Sequence, residues 1–492
     1  MRKCNLPILP VLLAAIIAGV FIPTGPAHAQ SGPSADARDQ EIQLLKSQVE
    51  QLEQRVDTLE GLDQKVKVID RKLEIQQEAA QQHALEMPIV KASDEGFSLS
   101  SPSEAYKINF GGIVQGTGRF FTSGDDKNVS STFFLNRVRP ILSGTLWKYY
   151  DFNITPDFGQ GKGVVLQDAW INVKYFPQAQ FQIGKYKAPL DLERLQSDRD
   201  LEFSERSEIT NLVPNRDTGI EIHSESLLNN RLTYQLALMN GVPNNTAADP
   251  TTDIDNNDGK DFYGRIFAVP FKNSDNEWIK GIGFGFGGSY GDERGSTTSV
   301  YKTYGQSTWF TYNKGVTASG LRARLDPQGY YYWRGLGLMG EYAQDEHSLN
   351  LFNSFGSSPH KRLINRTDTF TDTGYEVQAS YLLTGEDASY GWVKPIHPFD
   401  PRNGTWGAWE LAGRVSNVAT DTRQFQLGFA NPSVAAKTAT EWAAGFNWYL
   451  SNNVKFYFDY ANTYFNGGAG TTAAPKDRPN ESVFESELQI AF

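Results

Sequence analysis

Phe484-Glu485-Ser486-Glu487-Leu488-Gln489-Ile490-Ala491-Phe492 alternates along its length. Phe484, Leu488, Ile490 and Phe492 fall on one face of a strand, and Glu485, Glu487 and Gln489 on the other. A strand as the last element leaves a sheet edge open unless another strand closes on it. Together with an export signal, an acidic balance and the same alternation repeated upstream, this predicts a transmembrane β-barrel. In such a barrel each strand shows side chains alternately to lipid and to a wet lumen.

The start of the chain reads as a secretory signal over residues 1–29. Met1-Arg2-Lys3 is basic, Leu6 to Phe21 is apolar, and Ala27-His28-Ala29 offers a small-residue cleavage site before Gln30. Pro23, Gly25 and Pro26 end the apolar run at once, which argues against an anchoring helix. Cys4, the only cysteine, leaves with this segment, so no disulfide or thiol chemistry is expected in the mature chain. The 46 Lys and Arg against 57 Asp and Glu give −11; without Arg2 and Lys3, 44 against 57 gives −13. No basic excess points to nucleic acid. Mean hydropathy is negative, as expected when half of every strand is polar. The 30 Phe, 22 Tyr and 10 Trp fit aromatic girdles at two membrane interfaces.

Residues 39–84 form the second segment. Ile42, Leu45, Val49, Leu52, Val56 and Leu59 follow alternating three- and four-residue steps, the pattern of a coiled coil. One seam continues through Val66 and Leu73, while the other slips at Asp63 and Asp70. From Ile42 to Leu73 such a helix would reach about 48 Å. A single amphipathic helix lying on the barrel is the rival reading. Residues 85–106, with Pro88 and Pro102, read as a linker, and residues 107–492 as the barrel.

In the first strand Ile108, Phe110, Val114 and Phe120 oppose Asn109, Gln115, Thr117 and Arg119. In the second, Phe134, Val138, Leu142 and Leu146 oppose Arg137, Arg139, Ser143 and Thr145. Near the end, Trp442, Ala444, Phe446, Trp448 and Leu450 oppose Glu441, Asn447 and Tyr449. Beyond the Asn452-Asn453 turn, Val454, Phe456, Phe458 and Tyr460 oppose Lys455, Asp459 and Thr463. About sixteen antiparallel segments fit before Phe492, an even number. Short turns such as Phe176-Pro177-Gln178 suit the periplasmic side, and long loops at 244–260, 348–371 and 467–480 the outside.

One connection differs. Residues 190–217, LDLERLQSDRDLEFSERSEITNLVPNRD, are long and densely charged, which makes them the candidate to fold inward and narrow the pore. Their cations Arg194, Arg199, Arg206 and Arg216 are outnumbered by acids. The rival reading is a solvated outer loop whose charges pair with one another.

Several motifs resemble the phosphate-selective porin O and P family. They include Arg137-Val-Arg139-Pro-Ile-Leu, Pro156-Asp-Phe-Gly159, Gly184-Lys-Tyr-Lys-Ala-Pro189, Leu192-Glu-Arg-Leu-Gln196, Asn211-Leu-Val-Pro-Asn-Arg-Asp217 and Asn256-Asn-Asp-Gly-Lys-Asp-Phe262. The resemblance runs from about Phe97 to the end. It implies a sixteen-stranded trimeric porin in an outer membrane, with basic side chains lining the lumen. In phosphate-specific members an arginine ladder leads to constriction lysines. Here one rung falls on Ile113, an arginine pair falls on Asn136 and Arg137, and the constriction lysine falls near Arg199.

The expected pore residues are therefore Arg137, Arg139 and Arg199, supported by Lys185, Lys187, Arg194, Arg206 and Arg216. Their partners would be small anions such as phosphate, outer-membrane lipids, two further copies of the chain and, through the coiled coil, the cell wall. No cofactor, metal or nucleic acid is expected. The acid-rich loop keeps a general or cation-leaning porin open, and the coiled coil keeps a structural tether open. Asp253 to Asp261 resembles a calcium loop, but Gly259 stands one position late for an EF-hand. His83, His223, His347, His360 and His397 show no metal spacing, and no nucleophile elbow or phosphate loop appears, so no enzyme is expected.

Overall fold

In a computed structural model the described residues are 35–123, 130–161, 163–244, 258–295, 298–353, 363–471 and 473–492. The signal segment lies outside them, as do most of the 253–261 loop and the basic triplet at 360–362. The chain divides into two units, residues 1–85 and 86–492.

The first unit is dominated by α1, a continuous helix over Ala35–Glu86. At 52 residues it would extend about 78 Å. Its heptad positions all face solvent in the single chain, from Ile42 at 49 % to Leu59 at 63 % exposure. The helix runs straight through the slip at Asp63.

The second unit is a closed barrel of sixteen antiparallel strands. These are β1 (Lys107–Ser123), β2 (Thr132–Leu146), β3 (Tyr150–Asp157), β4 (Val165–Phe176), β5 (Ala179–Lys187), β6 (Arg216–Ser226), β7 (Leu232–Met239) and β8 (Asp261–Ala268). They continue as β9 (Ile282–Gly295), β10 (Val316–Trp333), β11 (Leu336–Asn353), β12 (Leu363–Leu382), β13 (Ala408–Ala419), β14 (Ala436–Tyr449), β15 (Val454–Thr471) and β16 (Glu481–Ala491). Closure is made by β16 on β1, where Gln489 pairs with Gln115 and Ala491 with Ile113. At the rim Phe492 exchanges two main-chain hydrogen bonds with Gly112, at 2.8 and 3.0 Å. A Cβ on neighbouring Gly111 would stand 2.5 Å from the Phe492 carbonyl oxygen, so this approach requires glycine.

Burial is inverted relative to a soluble protein. Glu485, Glu487 and Gln489 are completely buried while Leu488 and Ile490 are 38 % and 42 % exposed. Lys455 and Asp459 point inward beside outward Phe456 and Phe458. A sheet with leucines outside and glutamates inside is stable only where its outer solvent is hydrocarbon and every backbone group is paired within the ring.

Four expectations are corrected in detail. Phe134 does not share the outer face with Val138. The β1–β2 register shifts between Gln115/Arg137 and Gly116/Leu135, leaving Asn136 as an extra residue. Phe133 and Leu135 are therefore outside, and adjacent Asn136 and Arg137 both end up buried inside. The 85–106 stretch, read as a linker, contains strands Ile89–Ser93 and Gly96–Ser100, a hairpin whose second strand pairs with β1. Of the 348–371 loop, the described residues 348–353 and 363–371 are strand, since β11 and β12 pair out to Asn353 and Leu363.

Finally, one turn at the end of the barrel that carries Phe492 is long. Residues 383–407 join β12 to β13, and their buried Ala388 and Val393 pack with Leu382, Ala408 and Tyr449. Residues 298–315, between β9 and β10, also turn inward, fully burying Tyr301, Trp309 and Phe310.

Candidate pore lining and constriction

The 190–217 segment connects β5 to β6 and packs inside the ring. Leu190, Leu192, Leu201, Phe203, Ile209 and Leu212 are each at most 2 % exposed. Its polar groups are held by strands all around the wall. Ser204 N–H donates to Asp459 at 2.9 Å, Asn447 Nδ2 donates to the Glu202 carbonyl at 2.8 Å, and Gln328 Nε2 donates to the Leu190 carbonyl at 2.6 Å. A short helix at Leu192–Leu195 is capped by Asp191, whose side chain accepts from Arg194 N–H at 2.6 Å.

Three of the expected pore cations converge on one loop carboxylate. Arg139 and Arg206 both donate to Asp198, and Arg137 Nε stands 3.5 Å from it. Burial alone would raise the Asp198 carboxyl, but Arg206, Arg139 and Arg137 outweigh it and hold the group well below the usual carboxylate range. Arg137 also donates to Gln115 at 2.7 Å, and Arg139 to Asp157 at 2.6 Å. Lys187 Nζ and Arg206 Nη2 both donate to the Gln196 carbonyl, at 2.7 and 2.8 Å.

The remaining expected residues are more scattered. Arg216 makes a two-pronged contact with Asp168 at 3.0 and 3.2 Å. Lys185 is buried on β5 opposite Thr218. Arg194 is turned into the loop core, donating to the Thr210 carbonyl at 2.9 Å, and burial with the nearby Arg206 charge lowers it to about 10. Arg199 stands apart. Its side chain is 37 % exposed, it pairs with Asp200 at 3.0 Å, and its guanidinium lies 5.6 Å from the Trp392 ring in the 383–407 turn. Ile113 puts an apolar side chain on the inner wall opposite Arg139.

Further inward cations lie outside the expected pore set. Arg119 pairs with Glu485 and Glu205, Arg414 with Glu441 and Glu193, and Lys455 Nζ donates to the Leu201 carbonyl at 2.7 Å. Arg322 and Arg324 join Glu293, Asp261 and Asp345. Strand parity already sets Arg119 and Lys455 on the polar face, and the same alternation would have found Arg322, Arg324 and Arg414. The wall around the loop is also rich in acids: Glu376, Glu410, Glu441, Asp459, Glu485 and Glu487 are all buried on it.

Glu202 on the loop shows the consequence of that wall. Burial, with Glu410 nearby, pushes its carboxyl from 4.5 to about 8, against the pull of Lys455 and the Gln378 amide. Between those values the folded state holds a proton that the unfolded chain releases. Stability contributed there is present below about pH 4.5 and falls as pH rises through the window. The urea midpoint is therefore expected to be lower at alkaline than at acidic pH. Glu202→Gln should flatten part of that slope; an unchanged slope would reject the assignment.

The model of the family described as "Phosphate-selective porin O and P" matches residues 111–492 of the chain. Porin O of Pseudomonas aeruginosa is 22 % identical over 402 residues, covering 76 % of this chain and 86 % of that protein. Among solved structures, the outer-membrane channel DcaP of Acinetobacter baumannii aligns with TM-score 0.48 and 11 % identity, covering 80 % of this chain and 99 % of that one. OmpT of Vibrio cholerae aligns with TM-score 0.47 and 12 % identity over 79 % and 98 %.

Proposed function

The chain belongs to the phosphate-selective porin O and P family and forms an outer-membrane channel, and from that premise we propose that it passes small hydrophilic solutes by diffusion with a preference for anions such as phosphate. The observation that carries this reading is the convergence of Arg137, Arg139 and Arg206 on the single carboxylate of Asp198. An entering anion loses water, and fixed guanidiniums replace that shell with charge-assisted hydrogen bonds. Arg199, with 37 % of its side chain exposed, is the expected pore cation most open to a solute.

The test is reversal potential across a KCl gradient in a planar bilayer, followed by phosphate titration. Anion selectivity with block by phosphate is the expected result, weakened in the Arg137→Ala/Arg199→Ala double variant. Cation selectivity without block would overturn it. It would instead favour a general or cation-leaning porin, the reading that the buried acidic wall supports.

The exposed apolar seam of α1 supports a parallel coiled coil between copies of the chain, placed in the periplasm and accompanying a trimeric barrel in lipid. Removing residues 39–84 is expected to leave single-channel conductance unchanged while lowering the fraction of trimer recovered in mild detergent. Loss of wall association without any change in oligomeric state would favour the tether instead.

A further inference from the structure

We propose that Asp191, Asp326 and Glu341, with Glu376 beside them, hold a divalent cation of the calcium class that fastens the inward loop to the barrel wall. Asp191 belongs to the loop, and Asp326, Glu341 and Glu376 face inward from β10, β11 and β12, where Glu341 and Glu376 are direct cross-strand partners. One oxygen from each of Asp191, Asp326 and Glu341 lies within 4.8 Å of the other two. A cation with oxygen distances of about 2.3–2.6 Å bridges such a span.

All four side chains are buried: 0 % exposed for Asp191 and Asp326, 5 % for Glu341 and 1 % for Glu376. Their hydrogen bonds leave inward-facing oxygens over. Glu341 accepts from the Leu192 and Glu193 amides, Asp191 Oδ1 from Arg194 N–H, and Asp326 Oδ1 from Gln328 Nε2 at 3.0 Å. Asp191 Oδ2, Asp326 Oδ2 and both oxygens of Glu376 receive none. Glu376, the cross-strand partner of Glu341, thus adds a separate buried carboxylate without a donor beside the triad.

Among the described residues none of the four makes an ion pair with Arg or Lys. The surrounding guanidiniums donate to other groups: Arg194 to the Thr210 carbonyl, Arg265 to Gln328 and Gln235, Arg414 to Glu193 and Glu441, and Arg206 to Asp198. Uncompensated buried carboxylates are costly, so this group must carry either protons or a cation. The donor set is all hard oxygen, without nitrogen or sulfur, which selects calcium over zinc or copper. The inference is independent of which ion the channel conducts.

The experiment uses full-length protein refolded free of lipopolysaccharide, stripped with EDTA and titrated with calcium chloride by calorimetry. One ion per chain is expected, with an upward shift in thermal unfolding. The Asp191→Asn/Asp326→Asn/Glu341→Gln variant should lose that ion and its response to EDTA, while an exposed-acid control, Asp292→Asn, keeps both. If the triple variant fails to fold, Asp326→Asn alone should weaken binding at least tenfold. Absence of a stoichiometric ion in the wild type, or equal binding in the variants, overturns the proposal. In the wild-type case an infrared protonated-carboxyl band would identify shared protons instead.

Discussion

Asp198→Asn is expected to shift the reversal potential strongly toward anions, with the anion-to-cation permeability ratio rising several-fold. The substitution keeps size and shape but removes the charge on which Arg137, Arg139 and Arg206 converge. Two of these arginines have few alternatives: Arg206 otherwise touches only carbonyls, and Arg137 keeps Glu205 at 3.9 Å. Arg139 retains Asp157. Freed of a shared counter-charge, the cluster becomes an attractor for mobile anions, so phosphate block should tighten as well. Leaving buried cations short of a partner also costs about 3–5 kcal/mol, which should appear as noisier single-channel openings as the loop loosens. An unchanged reversal potential would show that the Asp198 cluster lies outside the conduction path.

Replacing the 383–407 turn is expected to have the other large effect. Deleting Gly385–Gly407 and joining Thr384 to Ala408 through Asn-Gly keeps the β12–β13 register, in which Leu382 faces Glu410. It removes the prop beneath the inward loop. Tyr390 Oη donates to the Leu192 carbonyl at 2.6 Å, Gln196 Nε2 donates to the Tyr390 carbonyl at 2.9 Å, and Trp392 lies against Arg199. The Tyr390 ring also stacks on Tyr330 at 5.7 Å. Without these contacts the channel should conduct several-fold more current and discriminate less between ions, while the barrel still shows heat-modifiable mobility. Unchanged conductance would mean that the turn stands clear of the aqueous path.

Much of this was legible in the sequence because a barrel strand writes its two faces with period two. The inward positions of Glu485, Glu487, Lys455 and Asp459 could be read directly. The position of Phe134 could not, because nothing local announces the extra residue at Asn136 that reverses the parity upstream. The charged connection after β5 was recognisable by its length and composition. The connection after β9 was not, since Tyr301, Trp309 and Phe310 look like girdle aromatics until the chain folds back. Which arginine meets which carboxylate was equally hidden. Arg139 and Asp198 are 59 residues apart, and only the inward turn of the loop brings them together. The motifs that carry the family resemblance all lie before β9, whereas Arg414 and Lys455 stand on β13 and β15.

The hairpin at residues 89–100 has a bearing on how the seam finds its alignment. A slide of the last strand by two residues along β1 would keep every side chain on its proper face, so the hydrophobic pattern alone does not forbid it. Such a slide toward the rim would bring Phe492 level with Phe110, a position where Phe97 is already hydrogen-bonded. The hairpin thus works as an end-stop on the closing edge, converting a degenerate zipper into one with a single resting place.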